Sequence, residues 1–138
     1  MYYEHFYMAE LTGSKEVPPV HTNADGVALF YVDEKKDNIR YRLNVNNLTS
    51  IEQVNIHLGR RNITGPDVAL LYESGNRNSS YDNGIIEGFI TAKDLIGPLT
   101  GKPLSSLIND LRAGKVFVNV KSLKYPNGEL RGKIVQNG

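Results

Sequence analysis

Residues 39–48, IRYRLNVNNL, alternate apolar and polar side chains along one continuous stretch of the chain. Because successive side chains of a β-strand point to opposite faces, this alternation predicts a strand with one apolar and one polar face. The apolar face contains Ile39, Tyr41, Leu43 and Val45, and the polar face contains Arg40, Arg42, Asn44 and Asn46. Such a strand packs one face on a core and leaves the other in water, which is typical of an antiparallel sheet.

Seven further segments have strand character, separated by clusters of Gly, Pro, Asn and Asp. They are HFYMAELTG (5–13), GVALFYV (26–32), VNIHLG (54–59), VALLY (68–72), IIEGFIT (85–91), KVFVNVKS (115–122) and ELRGKIV (129–135). This spacing is typical of sandwiches and barrels. We therefore predict an all-β fold in a single domain over residues 1–138, an immunoglobulin-like or Greek-key β-sandwich or barrel of about eight strands.

One segment departs from the strand pattern. Residues 103–114, PLSSLINDLRAG, place Leu104, Leu107, Ile108 and Leu111 at helical spacing. Pro103 suits the start of a helix and Gly114 suits its end. The sequence therefore predicts one short helix over about 104–112, inserted between two strands. Residues 59–66 and 75–84 are predicted to be loops, because both stretches are polar and rich in Gly, Pro or Asn.

The composition argues against several classes of function. Lys and Arg number 16 and Asp and Glu number 15, so a net charge of +1 gives no field that favours nucleic acid. The chain has no cysteine, which excludes thiolate metal sites, a cysteine nucleophile and disulfides. No apolar run approaches the ~20 residues of a transmembrane helix. The first ten residues lack the basic flank and apolar core of a signal peptide, and nothing in the sequence indicates an oligomeric state.

Three of the predicted strands pair an aliphatic face with a polar one. If these strands are neighbours, their polar faces form one network of His57, Asn119, Lys121, Glu129 and Arg131. One interpretation is a solvated outer face with weak cross-strand charge pairs. The other is a partly buried, hydrogen-bonded cluster in which Glu129 and Arg131 hold a ligand or orient His57. Strand parity does not select between these two interpretations.

The first strand offers a candidate metal site. Tyr3, His5 and Tyr7 share one face, and His57 is a further ligand if its strand lies close. Phenolate and imidazole together favour iron(III) or copper(II). The alternative is an aromatic strand whose rings simply pack. A hydrolase is a further alternative, with Glu16 and Glu129 as candidate carboxylates, but the chain has no nucleophile elbow.

With these residues in view, the chain resembles the CHRD domain, named after chordin. The resemblance runs from about residue 9 to residue 134. Its anchors are EVPP (16–19), Gly26, the strand of His57, GP (65–66), AG (113–114), Asn119 and PNGELRG (126–132). It implies an immunoglobulin-like sandwich or Greek-key barrel, often in secreted or surface-attached bacterial proteins, with no established enzymatic activity.

Two departures from the family pattern concern histidines. The family typically has His-x-His on the middle strand, where this chain has Asn55 before His57. It often has Asn-Val-His-Thr near the end, where this chain has Lys121 in place of histidine. These changes weaken a histidine-rich metal site and favour the first strand as the metal candidate. We also expect a structural bidentate pair between Glu16 and Arg131.

The leading hypothesis is a non-catalytic CHRD-type β-sandwich module that binds an unknown protein or small molecule. The family resemblance suggests that it acts outside the cell or at its surface. The first alternative is an iron- or copper-binding protein with Tyr and His ligands, serving metal binding or redox chemistry. The second alternative is a small hydrolase with a Glu or His base.

Overall fold

The computed structural model describes residues 5–74, 80–82 and 84–136. In this part of the chain ten strands form one antiparallel sheet. They are β1 (Phe6–Thr12), β2 (Asp25–Asp33), β3 (Asn38–Asn46), β4 (Ile51–Arg60), β5 (Ile63–Glu73), β6 (Ser80–Asp82), β7 (Ile85–Ile90), β8 (Val116–Ser122), β9 (Leu130–Lys133) and β10 (Val135–Gln136). Eight are longer than three residues, and the two others, β6 and β10, have three and two residues.

The strands lie side by side in the order β5-β4-β8-β9-β1-β2-β3-β7-β6, with β10 added on β1. The sheet curls into a half-barrel, so the prediction of an all-β barrel or sandwich is confirmed. Strand β9 is paired with β8 on one side and with β1 on the other. Segments from the two ends of the chain therefore meet at β9, where the polar motif GELRG is located.

Strand β3 has the predicted half-buried character. The side chains of Ile39, Tyr41, Leu43 and Val45 are buried, and those between them are largely exposed. The buried phenol of Tyr41 donates a hydrogen bond of 2.5 Å to the carbonyl of Leu71 on β5, which lies across the interior of the half-barrel. The apolar face thus builds the core, as the alternation requires.

The one α-helix in the described part of the chain, α1, spans Leu104–Arg112, as the sequence predicts. Its buried side chains belong to the same apolar core as the sheet: Leu104, Leu107, Ile108 and Leu111. Pro103 is the N-cap rather than the first helical residue, and Gly114 follows the C-cap with φ of +70°. Three short 3₁₀ turns lie at Gly13–Lys15, Ala92–Asp94 and Gly97–Leu99.

Both predicted loops contain strand. Strands β4 and β5 form a hairpin that pairs Arg60 with Ile63, so residues 59–66 are mostly strand. Residues 80–82 form β6 against β7, while residues 75–79 and 83 lie outside the described residues. Polar residues at the tip of a hairpin look like a loop in the sequence, because pairing between backbone groups does not depend on which side chains are present. None of the helices that the structure describes is long and apolar enough to cross a membrane.

Candidate functional site

The polar faces of β4, β8 and β9 lie next to one another. Asn55 on β4 is directly opposite Asn119 on β8, and Asn119 is directly opposite Arg131 on β9. The next pair along β4 and β8 on this face is His57 with Phe117. Since directly opposed residues share a sheet face, these five side chains form one cluster.

This face is buried rather than solvated. His57 and Asn55 have no exposed surface, and Arg131 is only 1% exposed. Most buried polar groups in proteins are hydrogen-bonded, and the segments that cover this face supply the partners of Arg131. The covering segments are the connection from β1 to β2 and the tip of the β4–β5 hairpin.

Arg131 joins these two covering segments through their backbone. Its Nη1 donates to the carbonyls of Lys15 (3.1 Å) and Arg61 (2.9 Å). Its Nη2 donates to the carbonyls of Arg60 (2.7 Å) and Ile63 (3.1 Å). One guanidinium therefore ties the β1–β2 connection to the hairpin tip. The planar, forked guanidinium has the shape for this role, which an ammonium lacks.

His57 completes the set of partners of Arg131. The Nε of Arg131 donates to His57 Nε2 at 3.4 Å, and His57 Nδ1 lies 2.8 Å from the carbonyl of Leu58. A carbonyl only accepts, so the proton of the imidazole is on Nδ1 and Nε2 is the acceptor. Burial lowers the pKa of His57, and the charge of Arg131 lowers it further. The imidazole is therefore neutral where it meets the guanidinium.

Phe117 lies against both groups. Its ring is stacked on the imidazole of His57, with centroids 5.5 Å apart and planes 8° apart. The guanidinium carbon of Arg131 lies 4.0 Å from the centroid of the same ring. Cation–π contacts of this kind strengthen when water is excluded. Burial lowers the pKa of Arg131, while the charge of Glu16 acts in the opposite direction.

Glu16 is buried beside this cluster, but it is not the bidentate partner of Arg131, so that prediction is wrong. Among the described residues the guanidinium bonds to four carbonyls and one imidazole. Glu16 Oε2 has no hydrogen-bond partner there, and neither has Asn119 Oδ1. Burial raises the pKa of Glu16 to about 7, against the opposing charges of Arg131 and Lys121.

Gly128 lies against two side-chain oxygens, Oε2 of Glu16 and Oδ1 of Asn119. A Cβ at this position would lie 2.5 Å from Glu16 Oε2 and 2.5 Å from Asn119 Oδ1. Both oxygens lie 2.5 Å from one point, so they are at most 5.0 Å apart. The φ of Gly128 is +134°, which only glycine adopts readily. The glycine therefore makes room for the carboxyl of Glu16 against β8.

Glu129 and Lys121 lie outside the guanidinium contacts. Glu129 accepts hydrogen bonds from the hydroxyls of Thr22 (2.5 Å) and Ser122 (2.7 Å), and it thereby ties the β1–β2 connection to the end of β8. Lys121 donates to Gln53 Oε1 at 3.3 Å and lies 3.6 Å from Asp67 Oδ2. Neither side chain holds or orients His57.

Among the described residues, His57 and Tyr7 lie on opposite faces of the sheet. Thr12 on β1 is opposite Arg131, so His57 shares a sheet face with the even-numbered residues of β1. Tyr7 is odd-numbered and points into the core on the other face. His5 is partly buried beside Tyr31. Tyr3 lies outside the described residues.

Both ring nitrogens of His57 are already engaged, by the carbonyl of Leu58 and by Arg131. Within residues 5–74, 80–82 and 84–136, no three His, Asp or Glu side chains are grouped as metal ligands. The iron or copper site remains a prediction from the sequence.

An open groove of about 940 Å³ lies over the cluster, between the β1–β2 connection and the hairpin tip. Five apolar side chains line it: Met8, Val17, Pro19, Phe117 and Val135. Four exposed cationic side chains line it as well: Lys15, Arg60, Arg61 and Lys133. Arg131 binds the backbone carbonyls of three of these residues, Lys15, Arg60 and Arg61, and Lys133 lies two residues further along β9. The walls of the groove are therefore attached to the buried cluster.

The fold and the cluster define a small all-β domain whose surface connections are fixed on the sheet by a buried arginine. A family model described as the CHRD domain matches residues 7–134. The chain belongs to this family, as the sequence resemblance predicts. No curated protein and no solved structure matches it. A bacterial origin remains a prediction.

Sequence reasoning missed Phe117 and the groove. The parity of β8 puts Phe117 on the same face as Asn119, but nothing in the sequence indicates that Arg131 stacks on its ring. The carbonyls of Lys15, Arg60, Arg61 and Ile63 could not be found, because a backbone acceptor is present at every residue.

Proposed function

We propose that this protein is a non-catalytic binding module whose ligand occupies the groove over Arg131. We further propose that it acts outside the cell or at its surface. The observation that carries the proposal is the groove itself, which combines an apolar lining with exposed charged side chains on two connected walls. Ligand sites are typically concave and largely apolar, with a few polar groups that fix orientation.

The walls are prepared for binding before any ligand arrives. Arg131 bonds to Lys15 on one wall and to Arg60 and Arg61 on the other. Walls that are already fixed lose little conformational entropy on binding, so more of the contact energy is available as affinity. Loops held on a rigid sheet are also where binding residues concentrate.

A fragment screen by NMR tests the groove. Fragments that bind should shift amide signals of groove residues such as Val17 and Lys133. Ser14→Trp fills the groove, since Ser14 is an exposed lining residue, and should abolish those shifts. Ser105→Trp on the exposed face of α1 is the control and should leave them unchanged. Fragments that bind only elsewhere, or equally well to Ser14→Trp, would rule the groove out.

The proposed location has its own test. Antibodies against the folded domain should label intact cells of the source organism without permeabilisation. Labelling that requires permeabilised cells would place the protein inside and overturn this part of the proposal.

A hydrolase is the second candidate, because Glu16 lines the groove and has a pKa raised to about 7. A carboxyl with such a pKa suits general acid–base catalysis at neutral pH. Its Oε2 is turned into the protein against Gly128, which favours a structural role. We therefore expect no hydrolysis of ester or glycoside substrates that depends on Glu16, so wild type and Glu16→Gln should behave alike. A turnover lost in Glu16→Gln, with folding intact, would establish the hydrolase instead.

A further inference from the structure

We infer that the groove binds an acidic segment of a partner protein, in which carboxylates alternate with apolar side chains. This inference rests on the proposed function and names the chemical class of the ligand. Two properties of the groove carry it: the excess of cations on the rim, and the exposed apolar surface between them.

The cations are concentrated far beyond the average of the chain. The whole sequence carries a net charge of only +1, yet four exposed cations line this one groove: Lys15, Arg60, Arg61 and Lys133. Of the carboxylates that line it in the described part of the chain, Glu10 is exposed and Glu16 is buried. Clefts lined by one sign of charge concentrate ligands of the opposite sign and speed their association.

These four cations are available to a ligand. Among the described residues, none of them forms a salt bridge with a carboxylate. The ammonium of Lys15 donates to the carbonyl of Glu10 at 3.0 Å, which leaves its charge uncompensated. The carbonyls of Arg60 and Arg61 bind Arg131, but their side chains are exposed at the hairpin tip.

The apolar surface distinguishes a peptide from other polyanions. Val17 and Val135 are 41% and 45% exposed, and both line the groove with Met8 and Pro19. Exposed apolar side chains grouped in this way mark sites for apolar contacts. A sulfated polysaccharide or a phosphate backbone would leave them uncovered. A peptide with alternating acidic and apolar residues contacts both the cations and the valines.

The test uses fluorescence anisotropy with a short labelled peptide of alternating Glu and Leu, and with its Lys–Leu counterpart. The acidic peptide should bind the wild-type protein, and its affinity should fall as salt increases. Arg60→Glu/Arg61→Glu should weaken this binding at least about tenfold, because two attractive charges become repulsive. Lys93→Glu/Lys102→Glu makes the same change of charge at exposed positions outside the groove and should have little effect.

Val17→Ser and Val135→Ser test the apolar contribution and should weaken the acidic peptide while leaving a sulfated oligosaccharide unaffected. Tight, groove-dependent binding of that oligosaccharide, without binding of the peptide, would overturn the peptide as ligand. Equal affinity for both peptides, blocked by Ser14→Trp, would overturn the acidic class but leave the groove as the binding site. If neither peptide nor any fragment binds the groove, the inference and the proposed function both fail.

Discussion

Arg131 Nε donates to His57 Nε2 at 3.4 Å, and this contact requires the imidazole to be neutral. The same guanidinium donates to four backbone carbonyls on two covering segments. A single side chain from β9 therefore holds both the buried imidazole of His57 and the two segments that form the walls of the groove.

Replacing Arg131 should be strongly destabilising. Arg131→Met removes every donor to the four carbonyls and leaves them without partners, so we expect a loss of about 3–5 kcal/mol in the free energy of unfolding. Arg131→Lys keeps the charge but not the fork, and should lose about half as much. Urea unfolding measures both. Arg42→Met, on the exposed face of β3, is the control, and a similar small effect at both arginines would contradict the role given to Arg131.

His57 should make the stability depend on pH in the acid range. Its pKa is lowered in the folded protein, so the unfolded chain binds the proton first as the pH falls. The stability that neutral His57 contributes is therefore present above pH 6.5 and is lost as the pH falls through the folded pKa. The stability difference between wild type and His57→Gln should shrink on acidification in urea unfolding. His21→Gln, exposed in the β1–β2 connection, is the matched control.

The sequence predicts the fold class because the spacing of its apolar residues shows which side chains of each segment are buried. The alternation at residues 39–48 requires a half-buried strand, and the apolar spacing in residues 104–111 requires a helix packed on the core. Each pattern depends only on which side chains of its own segment face the core, so a short stretch of sequence is enough to recognise it. Strand parity also placed Asn119 and His57 on polar faces, because parity does not depend on what covers the sheet.

The burial of the cluster could not be predicted in the same way. A polar face has the same sequence whether water or a backbone segment covers it. The cover over Arg131 consists of carbonyls, which have no sequence signature. The expected pair of Glu16 with Arg131 was wrong for this reason, since the carbonyls of Lys15 and Arg60 occupy the guanidinium instead.

Glu16 should make the stability depend on pH in the opposite direction to His57. Its carboxyl keeps the proton to about pH 7 in the folded protein, whereas its ordinary pKa is 4.5. The stability linked to this proton is fully present below about pH 4.5 and is lost as the pH rises through about 7. Glu16→Gln stays neutral at every pH. The free energy of unfolding of Glu16→Gln minus that of the wild type should therefore be up to about 3 kcal/mol larger above pH 7 than at pH 4. Glu10→Gln, exposed on β1, is the matched control.

Metal content should be independent of His57. Both of its ring nitrogens are engaged, and it lies on the opposite sheet face from Tyr7. After loading with iron(III) or copper(II) and dialysis, His57→Gln should therefore contain the same amount of metal as the wild type. Elemental analysis measures the content, and the visible colour of tyrosinate–iron(III) reports a Tyr ligand. A drop in metal content in His57→Gln, but not in His21→Gln, would show that His57 is a ligand after all.

Gly128 should be intolerant of a side chain because of crowding as well as backbone strain. In Gly128→Ala the new Cβ would lie 2.5 Å from both Glu16 Oε2 and Asn119 Oδ1, so the carboxyl and its loop must move. Gly101 gives a lower reference for strain without crowding, because its φ of +78° is unfavourable for alanine but less so than +134°, and no atom lies within 4 Å of its Cβ position. We expect Gly101→Ala to lose about 1 kcal/mol from strain alone and Gly128→Ala to lose at least about 2 kcal/mol more in urea unfolding. Glu16→Ala should relieve part of the excess in a double variant with Gly128→Ala, and equal losses for the two single glycine variants would show that the contact with Glu16 is unimportant.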